Sequence, residues 1–192
     1  METKTYTVYK FNELTESAKQ KAIDNYRNHD EYFWAGENEH TLKEFCNIFP
    51  VKVREFDYGY NKNIDFTYTA DDNILQLKGL RLATYIHNNY GYKIFKKKYL
   101  AHIHKEARYS KIQKETDCVL TGYYIDNEIL DPIYQFLKSP KENVTFEDLL
   151  NDCLQSWLSA CQKDYEATQE DEYIIEHLEA NDYDFTIDGK ID

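Results

Sequence analysis

A chain of 192 residues with 42% hydrophobic and 30% charged residues is long enough to bury a core and too apolar for wholesale disorder. No apolar run approaches the roughly 18 residues of a membrane span, and the opening METKTYTVYKF lacks the basic-then-apolar order of a signal peptide, so the composition predicts one cytosolic domain, residues 1–192. The net charge of −12 is concentrated, with eleven acids against two bases in residues 163–192 and eight bases against one acid in residues 93–114.

In chain order, TYTVYKF alternates as a short strand, and LTESAKQKAIDNYRNHD follows as a helix with Thr15 as N-cap and Ala18, Ala22, Ile23 and Tyr26 as its buried stripe. A second helix around HTLKEFCNIF stops before Pro50, because the residue preceding proline is pushed away from helical angles. Two alternating runs in VKVREFDYGYNKNIDFTYT, joined by YGYNKN, predict a hairpin.

The stretch LKGLRLATYIHNNYG predicts a helix closed near Gly91. Beyond it, Phe95, Tyr99, Ile103 and Ala107 recur every four residues, which predicts a basic helix over 93–114. TDCVLTGYYID reads as a strand and LDPIYQFLKS as a short helix with Asp131 as N-cap and Pro132 at its first position. The strongest helical pattern starts at TFEDLL, where Phe146, Leu149, Leu150, Cys153, Leu154, Trp157, Leu158 and Cys161 trace one stripe and Thr145 with Asp148 forms a capping box. QEDEYIIEHLEAN, introduced by Thr168 and Asp171, predicts a last helix, and NDYDFTIDGKID a closing strand with Tyr183, Phe185 and Ile187 on one face. Strands and helices in this irregular order predict an α+β fold, with a mainly antiparallel sheet of about four to five strands, including both terminal ones, packed with several helices.

The two ends, YTVYKFNELTESAKQKAIDNYR and DYEATQEDEYIIEHLEANDYDFTIDGKI, resemble a family of small phage and prophage accessory proteins loosely described as antitoxin-like. The resemblance is carried by Tyr6, Phe11, Leu14, Ala18, Ala22 and Arg27, and by Tyr165, Glu166, Asn181, Tyr183, Phe185, Thr186, Asp188 and Gly189. Arg108, Tyr109 and Ser110 resemble a segment ahead of an internal strand in the same family. Where its members commonly carry a Gly-, Ser- and Asp-rich loop, this chain has FTYTADDNILQLKGL. The resemblance implies a gene of a mobile element and no particular chemistry.

Catalytic and metal signatures are absent from the sequence: there is no nucleophile elbow, no P-loop and no dinucleotide fingerprint. His102 and His104 form H-x-H, a spacing that splays two side chains apart on a helix. Cys46, Cys118, Cys153 and Cys161 contain no C-x-x-C pair, and reduced thiols without disulfides are expected. No cofactor is expected.

Two charged segments remain as candidate sites. Glu166, Glu170, Asp171, Glu172, Tyr173, Glu176, Asp182, Asp184 and Asp188, together with Glu179, would present negative charge and tyrosine anchors to the basic cleft of a nucleic-acid-handling host protein. With the resemblance, this predicts a non-enzymatic, anti-CRISPR-like inhibitor of a host defence nuclease in the bacterial cytoplasm. The alternative is a nucleic-acid-binding antitoxin or regulator using Lys96, Lys97, Lys98, Lys105, Arg108 and Lys111, interleaved with aromatics. An enzyme with an unrecognised site is the third reading, and the oligomeric state stays open.

Overall fold

The structure, a computed structural model, describes residues 7–29, 32–59, 61–98, 113–115 and 117–191. In chain order its elements are α1 (Glu16–His29), α2 (Ala35–Ile48), β1 (Val51–Asp57), β2 (Asn63–Tyr68), α3 (Asp72–Leu75), α4 (Gly79–Ile94), β3 (Lys96–Lys98), β4 (Gln113–Glu115), α5 (Ile125–Lys138), α6 (Phe146–Thr168) and α7 (Asp171–Ala180). A 3₁₀ turn occupies Phe11–Glu13.

The fold is therefore mainly helical, which corrects the expected α+β sheet. Among the described residues the strands form only the antiparallel β1–β2 hairpin and a three-residue β3–β4 pair, each separate from the other. Neither terminal strand forms among the described residues, residues 5–6 of the first lying outside them. Phe11 and Leu14 are buried three positions apart, a spacing that suits a turn and not a period of two, and Tyr9 makes a single bridge to Phe185. At the other end the chain reverses at Thr186–Gly189, with Gly189 at φ +84°, so Phe185 is buried while Ile187 stays 70% exposed.

The chain divides into two compact units, Trp34–Gln162 and Met1–Phe33 with Lys163–Asp192. Residues 146–162 of α6 belong to the first and residues 163–168 to the second.

In the larger unit the α6 stripe read from the sequence, Phe146 through Cys161, is buried throughout. Trp157, fully buried, meets Phe56 and Tyr58 edge-on, and its indole N–H donates to the Asn38 carbonyl at 3.1 Å. Truncating such a side chain typically costs about 3–5 kcal/mol. The capping box forms as read: Asp148 Oδ2 accepts from the Thr145 N–H and hydroxyl, and Thr145 Oγ1 accepts from the Asp148 N–H. Those bonds hold the Asp148 carboxyl below its ordinary range.

The segment expected as a strand before α5 is instead a bent loop, and α5 begins earlier than read. The cause is Asp126, fully buried, whose Oδ2 accepts the N–H groups of Leu120, Thr121 and Gly122 at 2.9, 2.7 and 2.9 Å. Its Oδ1 accepts the hydroxyls of Thr121 and Thr41. A carboxylate so placed gathers the loop around itself and starts the helix at Ile125. Pro132 consequently lies inside α5. A proline there cannot donate to the carbonyl four residues back, that of Glu128, and Ser156 Oγ of α6 donates to it instead at 2.7 Å.

Other boundaries also move. α4 runs through Gly91 to Ile94, so Gly91 is interior and buried, while Gly79 at its start holds the positive φ of +58°. Lys96–Lys98 are strand, which ends the expected basic helix at its first turn; residues 99–112 lie outside the described residues. Thr168 closes α6, its hydroxyl donating to the Tyr165 carbonyl, and Glu170 holds the N-cap position of α7.

In the smaller unit Phe11, Leu14, Ala18, Ala22, Ile23, Ile174, Leu178 and Phe185 form a core between α1, α7 and the terminal turn. Thr15 caps α1, its Oγ1 accepting the Ala18 N–H. No disulfide forms among the described residues, and Cys153 and Cys161 are buried apolar groups.

Candidate binding surface

At about 100° per residue, Glu172, Glu176 and Glu179 fall within about 60° of one another on α7, opposite Ile174 and Leu178. Ile174 and Leu178 are buried in the smaller unit's core, and the three glutamates are exposed. The core thus fixes the outward direction of the acidic stripe. It sets three carboxylates along ~10 Å of helix axis, a mean axial spacing of about 5 Å, wider than the ~3.4 Å per charge of a single DNA strand. Tyr173, 41% exposed, flanks the stripe and stacks on His177, their ring centres 6.3 Å apart; His177 also meets Tyr26 and Tyr183.

The remaining acids are deployed differently. Asp171 pairs with Arg27, which also donates from Nε to the Gln169 carbonyl and from Nη1 to Asp24, so this aspartate joins α1 to the start of α7. Lys10 sits between Asp182 and Asp184 at 3.1 and 2.8 Å, and Asp184 first, then Asp182, pushes its ammonium group up. Asp188 accepts from the Thr186 hydroxyl, which lowers its carboxyl, and lies 3.9 Å from Lys190. Glu166 is exposed in the last turns of α6 and Glu170 is exposed ahead of α7. Glu170, Glu172, Glu176 and Glu179 form no ion pair among the described residues. The nine candidates are therefore not one uniform patch: all four aspartates, Asp171, Asp182, Asp184 and Asp188, have a cation beside them, and the candidates without an ion pair among the described residues include Glu170, Glu172 and Glu176, with Glu179 in the same condition.

Of the basic candidates, Lys96, Lys97 and Lys98 are consecutive residues of β3, paired with Glu115, Lys114 and Gln113. Lys105, Arg108 and Lys111 lie outside the described residues, as do His102 and His104.

The sequence reading missed a concave feature in the larger unit, an open groove of about 610 Å³ between α2 and β1. Gly36, His40, Lys43 and Asn47 line it from one side, and Val51, Lys52, Val53, Arg54 and Phe56 from the other. The signal available was the short Phe49–Pro50 link, which folds β1 back beside α2. Cys46 lies in the groove wall; burial pushes its thiol up, against a hydrogen bond from the Val53 backbone.

Among the described residues no group of three His, Cys, Asp or Glu side chains is placed to hold a metal ion, and no helix is long and apolar enough to cross a membrane. Comparison of the chain with protein-family models, with curated proteins and with solved structures found no match.

Proposed function

We propose that the chain is a non-enzymatic binding protein that engages a nucleic-acid-handling protein through the acidic outer face of α7. The observation that carries this reading is the Glu172, Glu176 and Glu179 stripe, unpaired and directed away from a packed core, with Tyr173 exposed beside it. Charge held on a rigid helix is pre-organised for a basic site and raises the rate of encounter with it. Tyrosine at the rim supplies an anchor of the type that dominates interface energetics. The resemblance of the chain's ends to phage and prophage accessory proteins extends the reading to a counter-defence role in the bacterial cytoplasm: inhibition of a host nuclease by occupying the site its nucleic acid needs.

Capture from host lysate, with duplex DNA as competitor, tests this. The expected result is a nuclease or nucleic-acid-binding protein that DNA displaces and that is lost when Glu172, Glu176 and Glu179 are all replaced by lysine. A captured partner retained equally by that variant, or unaffected by DNA, overturns the mechanism.

A further inference from the structure

We propose that the groove between α2 and β1 is a docking site for an extended acidic peptide segment of another protein. Its shape fits such an occupant. Gly36 to Asn47 spans ~16 Å of helix axis at about 1.5 Å per residue. Val51 to Phe56 spans ~16 Å of strand at about 3.3 Å per residue, so the trough has room for about five extended residues. Consecutive residues Val51, Lys52, Val53 and Arg54 line it, whereas a groove over one face of a strand would be lined by alternate residues. The trough therefore runs along the edge of β1, which pairs only with β2 among the described residues.

Its chemistry is complementary to an acidic chain. Leu42, Val51, Val53 and Phe56 supply apolar lining, while Lys43 and Lys52 are exposed and form no ion pair among the described residues. Arg54 shares its guanidinium with Asp65 at 2.7 Å, an exposed pair of little intrinsic strength, and Glu39 is the one acid lining the groove. Within a chain of 35 acids and 23 bases this is a locally cationic trough. The Val53 backbone is already engaged by Cys46, so the occupant is held by side-chain pockets and lysine pairing more than by a continued ladder.

Fluorescence anisotropy with a labelled five-residue peptide of alternating glutamate and valine tests the assignment on the intact chain. The expected result is saturable, salt-sensitive binding that falls at least tenfold in a Lys43→Glu, Lys52→Glu double variant. Gly36→Trp should abolish binding by filling the trough, since a Cβ at Gly36 meets nothing within 4 Å; Gly36→Ala should leave it intact. Equal binding of a lysine–valine peptide, indifference to either blocking variant, or absence of binding overturns the proposal. Preferential binding of a thymidylate oligomer would assign the groove to nucleic acid and overturn it equally.

Discussion

Gly189 packs its α-carbon directly against the backbone carbonyl of Ala18, so that a Cβ at Gly189 would overlap the Ala18 oxygen. With φ at +84°, the position also requires a conformation that L side chains rarely adopt. This contact seats the terminal turn on α1 and holds Phe185 in the smaller unit's core.

Gly189→Ala is therefore expected to lower stability by about 2 kcal/mol or more, combining the left-handed penalty with a backbone overlap that no rotamer relieves. Amide hydrogen exchange should show the loss at Tyr9 and Phe185, which exchange backbone hydrogen bonds at 2.8 Å. Gly36→Ala is the control: with open space and helical geometry, it should be neutral or stabilising by up to ~1 kcal/mol.

The pairing of Ser156 with the Glu128 carbonyl predicts a coupling across α5 and α6. Ser156→Ala should cost about 0.5–1 kcal/mol, because it leaves to water a carbonyl that Pro132 has already deprived of its helical donor. In a Pro132→Ala background the same change should cost much less, since the restored N–H at position 132 can bond Glu128. Urea denaturation of the four combinations measures this, and strict additivity would show that the serine has no such role.

Asp126 organises the loop from Leu120 to Gly122 through five donors. Asp126→Ala should destabilise by about 3 kcal/mol or more, because buried N–H and hydroxyl groups lose a charged acceptor. Asp126→Asn should fall between, since an amide nitrogen cannot accept at one of the two oxygen positions. Thermal unfolding ranks the three proteins; a ranking in which Asn is as harmful as Ala would indicate that charge, and not acceptor geometry, holds the loop.

Alkaline pH should unfold the larger unit through its tyrosines. Tyr68 is pushed up to about 12 by burial, then by Glu147, Asp148 and Asp152. Burial raises Tyr90 and Tyr134 beyond the ordinary phenol range as well, and the Tyr134 hydroxyl donates to the Ile94 carbonyl at 2.7 Å. The folded chain keeps phenolic protons that the unfolded chain releases from about pH 10 upward. Their stabilising contribution is complete below that pH and declines as pH rises toward the folded values. Denaturation midpoints measured at about pH 9 and about pH 11 should fall in that order, and less steeply in Tyr68→Phe.

Local periodicity made α6 and the β1–β2 hairpin legible, since both are defined by contacts that repeat every three to four or every two residues. The apolar positions Phe11, Leu14, Ala18, Ala22 and Phe185, singled out by resemblance, are core residues of the smaller unit. α5 was misread because the evidence for its true start is tertiary: Asp126 draws in a loop, and Ser156 satisfies the carbonyl that made Pro132 look like a beginning. The alternation at Tyr183, Phe185 and Ile187 misled because a single deeply buried phenylalanine between polar neighbours imitates a strand.

The acidic candidates were legible as a composition but not as a surface. A helical wheel places Glu172, Glu176 and Glu179 together, yet nothing near Asp182 and Asp184 in sequence announces their cation, because Lys10 lies 172 positions from Asp182. The α2–β1 groove escaped for the opposite reason: its two walls are adjacent in sequence, but neither wall alone carries a motif.

That same 172-residue separation has a consequence for synthesis. At about 5–20 residues per second, the ribosome exposes α1 roughly 10–30 s before the segment that covers it exists. During that interval Phe11, Leu14 and Ile23 lack their carboxy-terminal core partners Ile174, Leu178 and Phe185. The smaller unit therefore closes only once α7 has been made, and a chain truncated before α7 should expose the apolar stripe of α1.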